Sequence, residues 1–396
     1  MQHRIIVLGA GYAGTFAAGY LARHLHPADF QVTVVNAEPD FVERFRLHQV
    51  AAGQTLKHRP LAKIFAGTGV EVKIARVTAV DADRKSVTVD GGCGLERLEY
   101  DTLVYALGST AAHHDVPGVG EHAHHITSRA AAVRLSERLD AMGGKGTVLV
   151  VGGNLTAIEG ATELAESHPD LKVVLTTSGE LGGWLAPKSR AHLLRAFDRL
   201  GIEVHEHTRI ARVEPNGAIA ADGSFHAADA TVWAAGFAVH PIAAASGLAV
   251  EPNGQITVDR QMRSVSHPGV YAAGDAAFVI GENGRPLPMS CASAGFTSQQ
   301  ATAAIIGDLT GGKVKRTGLV YVGNHISLGR RDGILQVVDG DVRSRYAVTG
   351  RTAARVKELV LKTATWGVAN PTAKLPARSH HMAVDAEVRR TEAVPA

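Results

Sequence analysis

Two glycine-rich turns constrain what this chain can fold into more than any other feature. Each follows a short run of aliphatic residues and opens a helix-forming segment. The first is Gly9-Ala10-Gly11-Tyr12-Ala13-Gly14, after Ile5-Ile6-Val7-Leu8. The second is Gly152-Gly153-Asn154-Leu155-Thr156-Ala157, after Val148-Leu149-Val150-Val151. Strand, tight glycine turn and helix in that order form the unit that takes a dinucleotide diphosphate at the helix N-terminus. Two such units in one chain, with Gly274-Asp275 after both, suggest one flavin and one nicotinamide dinucleotide site.

The first turn is complete. Gly9 makes the tight bend, Gly11 lets a pyrophosphate approach the backbone, and Gly14 allows close helix–strand packing. An acid commonly ends the second strand of such a unit and binds the adenosine ribose; here the place holds Asn36, which can still accept one hydroxyl hydrogen bond. Gly274-Asp275 follows Gly269 to Ala273, which reads as a strand, and its carboxylate can accept a bond from a ribityl hydroxyl. The second turn departs from the pattern, with Asn154 at the middle glycine and Ala157 at the third. An asparagine there is expected to stand where the pyrophosphate comes closest, with Thr176-Thr177 ending the following strand in place of the usual acid.

The predicted fold class is α/β: two Rossmann-like dinucleotide-binding domains, the second inserted into the first, plus a C-terminal region. Residues 1–112 and 237–312 are assigned to the FAD-binding domain, 113–236 to the NAD(P)H-binding domain and 313–396 to the C-terminal region. Segment 111–125 reads as a linker, Val320-Tyr321-Val322 as a strand, and a helix is expected from about Gly295 to Leu309. The tail from near Pro371 is expected to be loose. The 43 glycines suit a fold rich in tight strand-to-helix turns, and a formal net charge of +3 argues for no nucleic acid partner. Only Cys93 and Cys291 occur, with no Cys-x-x-Cys pair, so a disulfide scaffold is excluded and the cytoplasm is the expected compartment.

With these motifs the chain resembles the flavoproteins with two dinucleotide-binding domains (the pyridine nucleotide-disulfide oxidoreductase superfamily), and most of all the type II NADH dehydrogenase, or NADH:quinone oxidoreductase, branch. Besides the two turns, the resemblance rests on residues 100–109, 150–166, 231–237, 270–277 and 327–336. It implies an enzyme that passes hydride from NAD(P)H to FAD and electrons onward to a quinone or other small acceptor. It places Gly9, Ala10, Gly11, Tyr12, Ala13, Gly14, Gly274 and Asp275 around FAD, with Gly108 beside it and an adenine contact at the end of the third strand, near Val77. The loop Phe45-Arg46-Leu47-His48-Gln49 matches one near the flavin ring, with Arg46 as a binding residue. Gly152, Gly153 and Asn154 would face NAD(P)H, and Glu159 the nicotinamide–flavin region as a catalytic proton or hydrogen-bond partner; helix capping or a surface ion pair is the plainer alternative. The Ala-Gln pair usual in quinone enzymes is absent from Met289 to Ser293.

Asn154, Thr177 and Ala292 favour a rival reading, a flavin enzyme acting directly on a small organic substrate with a relaxed nicotinamide site. A redox-sensing or interaction protein is a second rival. The histidines at 113, 114, 122, 124, 125, 205 and 207 show no metal-ligand spacing, and no metal site is assigned. Arg355 to Val368 is amphipathic, with Val356, Leu359, Val360, Thr363 and Gly367 on one stripe and Trp366 beside it. Burial of that stripe against the body or a homodimer mate is expected; the resemblance also allows a peripheral position on the inner face of a membrane.

Overall fold

The computed structural model describes residues 1–338, 346–372 and 379–383. The first aliphatic run forms the strand His3–Leu8. It is central in a five-stranded parallel sheet ordered 270–272, 102–105, 3–8, 30–36, 70–74. Ile5, Val7 and Leu8 are fully buried, as a parallel strand covered on both faces requires. The second run forms Gly146–Val151, central in another five-stranded parallel sheet ordered 203–205, 171–176, 146–151, 230–233, 123–124. In each sheet the strand leading to the glycine turn lies between the next strand in sequence and a later one. That arrangement opens a crevice at the carboxyl ends, where ligands of such folds bind.

The second sheet lies within the sequence of the first, because Val270–Ala272 joins the first sheet after the second is complete. The two crossing segments, Ser109–Ala111 and Phe237–Val239, pair antiparallel. Segment 111–125 is therefore no plain linker. It contains the short helix Val119–His122, and Ala123–His124 forms the edge of the second sheet. The third parallel strand ends at Ile74, so Val77 is not on it. Val77 belongs to Arg76–Asp81, in a separate antiparallel sheet with Val89 as its register partner.

Beyond the two sheets, Gly323–Ser327, Gly333–Val337 and Ala347–Thr349 form a small antiparallel sheet. Residues 320–322, expected as a strand, lead into it without being part of it. Helix Arg351–Ala369 packs on this sheet. It buries Ala353, Lys357, Leu361, Thr365 and Val368, which recur at helical spacing. Burial of the Leu359 stripe against the body, one of the two expected covers, is corrected: within this chain Leu359, Val360 and Trp366 face outward, with Leu359 and Trp366 exposed by 65% and 61%. Most of the tail expected to be loose lies outside the described residues. Its described part docks on the first domain, with His380 bridging Leu25.

Candidate active site: two glycine turns and a buried ion pair

At the first turn Gly9 has φ +90°, which an L side chain rarely adopts, and an added Cβ would strike the carbonyl oxygen of Ala106. A Cβ at Gly14 would strike the carbonyl of Gly9, so helix Tyr12–His24 lies directly on the turn. Gly11 differs: nothing lies within 4 Å of a Cβ placed there. It begins the helix without a side-chain cap, which leaves the first-turn N–H groups free for an anion. Asn36 Oδ1 accepts from Ala10 N at 2.9 Å while its Nδ2 donates to the Glu38 carbonyl at 2.7 Å. Asn36 thus fixes the turn itself.

Gly274 has φ +71° and its N–H is held by Thr297 Oγ1 at 2.9 Å. Ser109 Oγ donates to Asp275 Oδ2 at 2.6 Å, Arg44 Nη2 donates to Ser109 Oγ at 3.3 Å, and Arg44 Nη1 stands 3.8 Å from the same carboxylate oxygen. Both contacts fall on Oδ2, leaving Oδ1 for a ligand hydroxyl. Gly108 has φ +74° and lies against Arg44. The open space at Gly11, the uncapped helix N-terminus and the half-occupied Asp275 carboxylate fit an FAD diphosphate and ribityl chain. Tyr12 stacks on Phe45 with ring centroids 4.8 Å apart, and its buried hydroxyl has no protein partner.

Arg44, two residues before Arg46, is the arginine at this end of the site, and it escaped the sequence reading. Arg46 itself is engaged with protein carboxylates: Nη2 bonds both oxygens of Glu358 at 3.0 and 2.9 Å, and Nε lies 3.3 Å from Glu43. It ties the loop to the C-terminal helix. Two arginines of one loop, separated only by Phe45, could not be told apart by sequence pattern.

The second turn repeats the first in its backbone. A Cβ on Gly152, at φ +141°, would strike the carbonyl of Ala234, the counterpart of Ala106. Asn154 corrects the expectation of a side chain standing in the diphosphate's path. Its φ is −86°, Oδ1 accepts from Ala157 N at 3.0 Å, and Nδ2 donates to the Ala234 carbonyl at 2.9 Å. The side chain is turned inward and caps its own helix. Gly153 faces Thr177, whose side chain a Cβ would strike, and its carbonyl accepts from Trp184 Nε1 at 3.4 Å.

Glu159 lies on the helix Leu155–Ser167 that follows, where three parts of the chain meet. Lys357 Nζ, from the C-terminal helix, hydrogen-bonds Glu159 Oε1, and Ser327 N donates to the same oxygen at 2.9 Å. His48, from the loop of the first domain, brings Nδ1 to 3.9 Å from Oε2. The pair is therefore a buried one, not the surface pair or helix cap held as the alternative. Burial pushes the His48 imidazole down to about 4, against the pull of Glu159 and with Lys357, Arg330 and Arg46 adding to it. His48 is thus neutral near pH 7, and its Nε2 is buried without a partner. His325 is lowered by burial and by Lys357. Lys357 had a sequence signal in hindsight, since it shares the i, i+4 spacing of Ala353, Leu361 and Thr365.

The long helix of the flavin side runs Cys291–Thr310, starting four residues before the expected Gly295, with Ser290 Oγ accepting from Ser293 N at 3.1 Å as its cap. Gln300, buried, accepts from Thr317 N at 2.7 Å and so holds the C-terminal segment, while Gln299 is exposed. Cys291 is reachable from the cleft yet crowded by protein atoms, and that burial pushes its thiol up to about 12, so it stays protonated near pH 7. Cys93, also free, sits in the turn of the antiparallel sheet formed by residues 76–99.

Two strand–glycine turn–helix units, each at the carboxyl end of its own parallel sheet and the first with Gly274-Asp275 beside it, define the class of flavoprotein oxidoreductases with two dinucleotide-binding folds. The chain belongs to the pyridine nucleotide-disulphide oxidoreductase family, whose pattern matches residues 3–301. It is 29% identical over 327 residues to an NADH dehydrogenase-like protein of Mycobacterium tuberculosis, covering 77% of this chain and 80% of the relative. It is 26% identical over 390 residues to a type II NADH:quinone oxidoreductase of Staphylococcus aureus, covering 91% and 94%. Among solved structures, the fold is shared with the sulfide:quinone oxidoreductase of Aquifex aeolicus (TM-score 0.78, 20% identity, 94% and 93% covered). It is also shared with NDH2 of Plasmodium falciparum in complex with NADH (TM-score 0.77, 13% identity, 94% and 98% covered). The protein is an enzyme of this family, an NAD(P)H-driven oxidoreductase with FAD and a nicotinamide dinucleotide as cofactors.

Proposed function

We propose that the electron acceptor is a quinone, and that it is reduced beside the buried Glu159–Lys357 pair. The observation that carries this reading is the pair itself. A carboxylate and an ammonium are removed from water at the junction of the second domain, the flavin-side loop and the C-terminal helix, with His48, His325 and Tyr321 around them. Burying two charges costs several kcal/mol per ion before pairing, so a buried pair at a domain junction favours function over stability alone. When bound, FAD supplies hydride acceptance from the nicotinamide. The protein's part is to hold the diphosphates on the two turns and to keep a proton available at Lys357 Nζ, with Glu159 balancing its charge.

The direct-substrate rival loses its main support, since Asn154 is turned away from the diphosphate's path. Contact with a membrane surface is supported by outward-facing Leu359, Val360 and Trp366 on a helix that also carries Arg351, Arg355 and Lys362. No helix of the described residues is long and apolar enough to cross a membrane.

Anaerobic stopped flow tests the reading in two halves. NADH or NADPH should bleach the flavin absorbance, and a water-soluble quinone should restore it. Lys357→Met should slow the second half by roughly 10²-fold, the scale of a lost proton donor, and leave the first within about twofold. Because the single variant strands Glu159, Lys357→Met/Glu159→Gln serves as the partner measurement. Quinone reoxidation at the native rate in both variants refutes the pair's role.

A further inference from the structure

A second group of ligating side chains lies away from the crevice, where the C-terminal segment crosses the first helix–strand turn. His26 and Asp29 belong to that turn and His381 to the docked segment. One ligand atom from each lies within 4.8 Å of the others. The imidazoles of His26 and His381 stack with centroids 3.9 Å apart, and His381 Nδ1 is 2.8 Å from Asp29 Oδ2. The backbone fixes this convergence. His26 N donates to the His380 carbonyl at 2.9 Å, and His380 N to the His24 carbonyl at 2.8 Å. Met382 N donates to Asp29 Oδ2 at 3.0 Å, and Ala383 N to the Leu309 carbonyl at 2.9 Å. The Met382 bond is the main cause holding the Asp29 carboxyl below its usual range, so the carboxylate is ionised.

We propose that His26, Asp29 and His381 bind one divalent transition metal ion of the zinc type, which fastens the C-terminal segment onto the flavin-side domain. Two neutral imidazoles and one carboxylate form a donor set that suits such an ion, with solvent completing four-coordination. The site carries one negative charge for the ion to balance. On binding, the ion takes the place of the proton between His381 Nδ1 and Asp29 Oδ2; that proton is taken up at His381 Nε2 through solvent, so the imidazole stays neutral and Nδ1 offers its lone pair to the metal. At His26 the bond from Ala28 N to Nδ1, 3.2 Å long, is given up. Either Nδ1 gives its lone pair to the metal, or Nε2 does and Nδ1 carries the proton. The ligands come from residues far apart in sequence, so ion binding and segment docking favour each other.

Titration of the FAD-loaded full-length protein with Zn2+ alone, followed by calorimetry, tests this. One tight equivalent is expected, weakened at least tenfold by His26→Ala, Asp29→Asn and His381→Ala, and unchanged by His207→Ala, an exposed histidine elsewhere. In hydrogen exchange, Zn2+ should slow the amides of His380, Met382 and Ala383 in the native protein and have no such effect in His381→Ala. Binding that survives the three substitutions overturns the proposal, as does binding that leaves those amides unprotected.

Discussion

The two glycine turns share a backbone and differ in how each treats its helix. In both, the first glycine is pressed against a carbonyl at the end of a neighbouring strand, Ala106 for Gly9 and Ala234 for Gly152. The first helix then begins at Gly11 with no side-chain cap, whereas the second is capped by Asn154. The first N–H groups of a helix need partners, and at the first turn no side chain caps them, which leaves them to solvent or a ligand. The second turn supplies one of its own. We infer that the first turn is built for a resident cofactor and the second for a dinucleotide that comes and goes.

Gly14→Ala should have the largest effect. Its Cβ would collide with the Gly9 carbonyl, a backbone atom that cannot move without opening the turn. A loss of about 3 kcal/mol, with no FAD retained, is expected in thermal melts and absorbance spectra. The equivalent position of the second turn already holds Ala157, so only the first turn is this tight. Gly11→Val separates binding from folding. The space around its Cβ is free of protein atoms, so the apoprotein should stay within about 1 kcal/mol of native while FAD is lost. Should Gly11→Val purify yellow with full flavin content, the open turn is not the diphosphate site.

A pH measurement probes the seam where the two halves meet. His48 belongs to the first half and faces Glu159 of the second. Its folded pKa, about 4, lies below the 6.5 of an unfolded histidine. Between those values the unfolded chain binds a proton that the folded chain refuses. This contribution is complete above pH 6.5 and lost as pH falls toward 4, by on the order of 3 kcal/mol. Urea unfolding of native protein and His48→Gln at pH 7.5 and pH 5 should show a smaller acid loss in the variant. Equal slopes would mean that His48 is protonated in the fold.

The strands, turns and class of fold were legible because they depend on neighbours in sequence: aliphatic runs before glycines, alanine-rich helices after them. The start of the helix at Cys291, four residues before the expected Gly295, was legible in principle, since Ser290 and Ser293 offer a cap. What the sequence hid was direction. Nothing local says that Asn154 turns inward, that Arg44 and not Arg46 meets Asp275, or that Lys357 leaves solvent for Glu159. Each depends on a partner 80 or more residues away. The docking of His381 on Asp29 was hidden for the same reason, being a contact across the length of the chain.

Asn154→Gly gives the smallest expected effect and the finest test of the comparison. Read from sequence, this change restores the middle glycine and should tighten NAD(P)H binding. In the structure the side chain does two other things: it satisfies the Ala157 N–H and holds the Ala234 carbonyl. Glycine is nearly as good as asparagine at a helix N-cap through its backbone, so the cap itself is worth only a few tenths of a kcal/mol in this exchange. The lost bond to Ala234 adds about 1 kcal/mol. The melting temperature should therefore fall by a few degrees, with flavin content unchanged because the first turn is untouched. The dissociation constant for NAD(P)H, read from flavin reduction at graded concentrations, should stay within about threefold of native, because no side chain is being cleared from the diphosphate's path. A tenfold tightening with unchanged stability would show that Asn154 swings outward when the dinucleotide arrives, and the difference between the two turns would then reduce to one of occupancy.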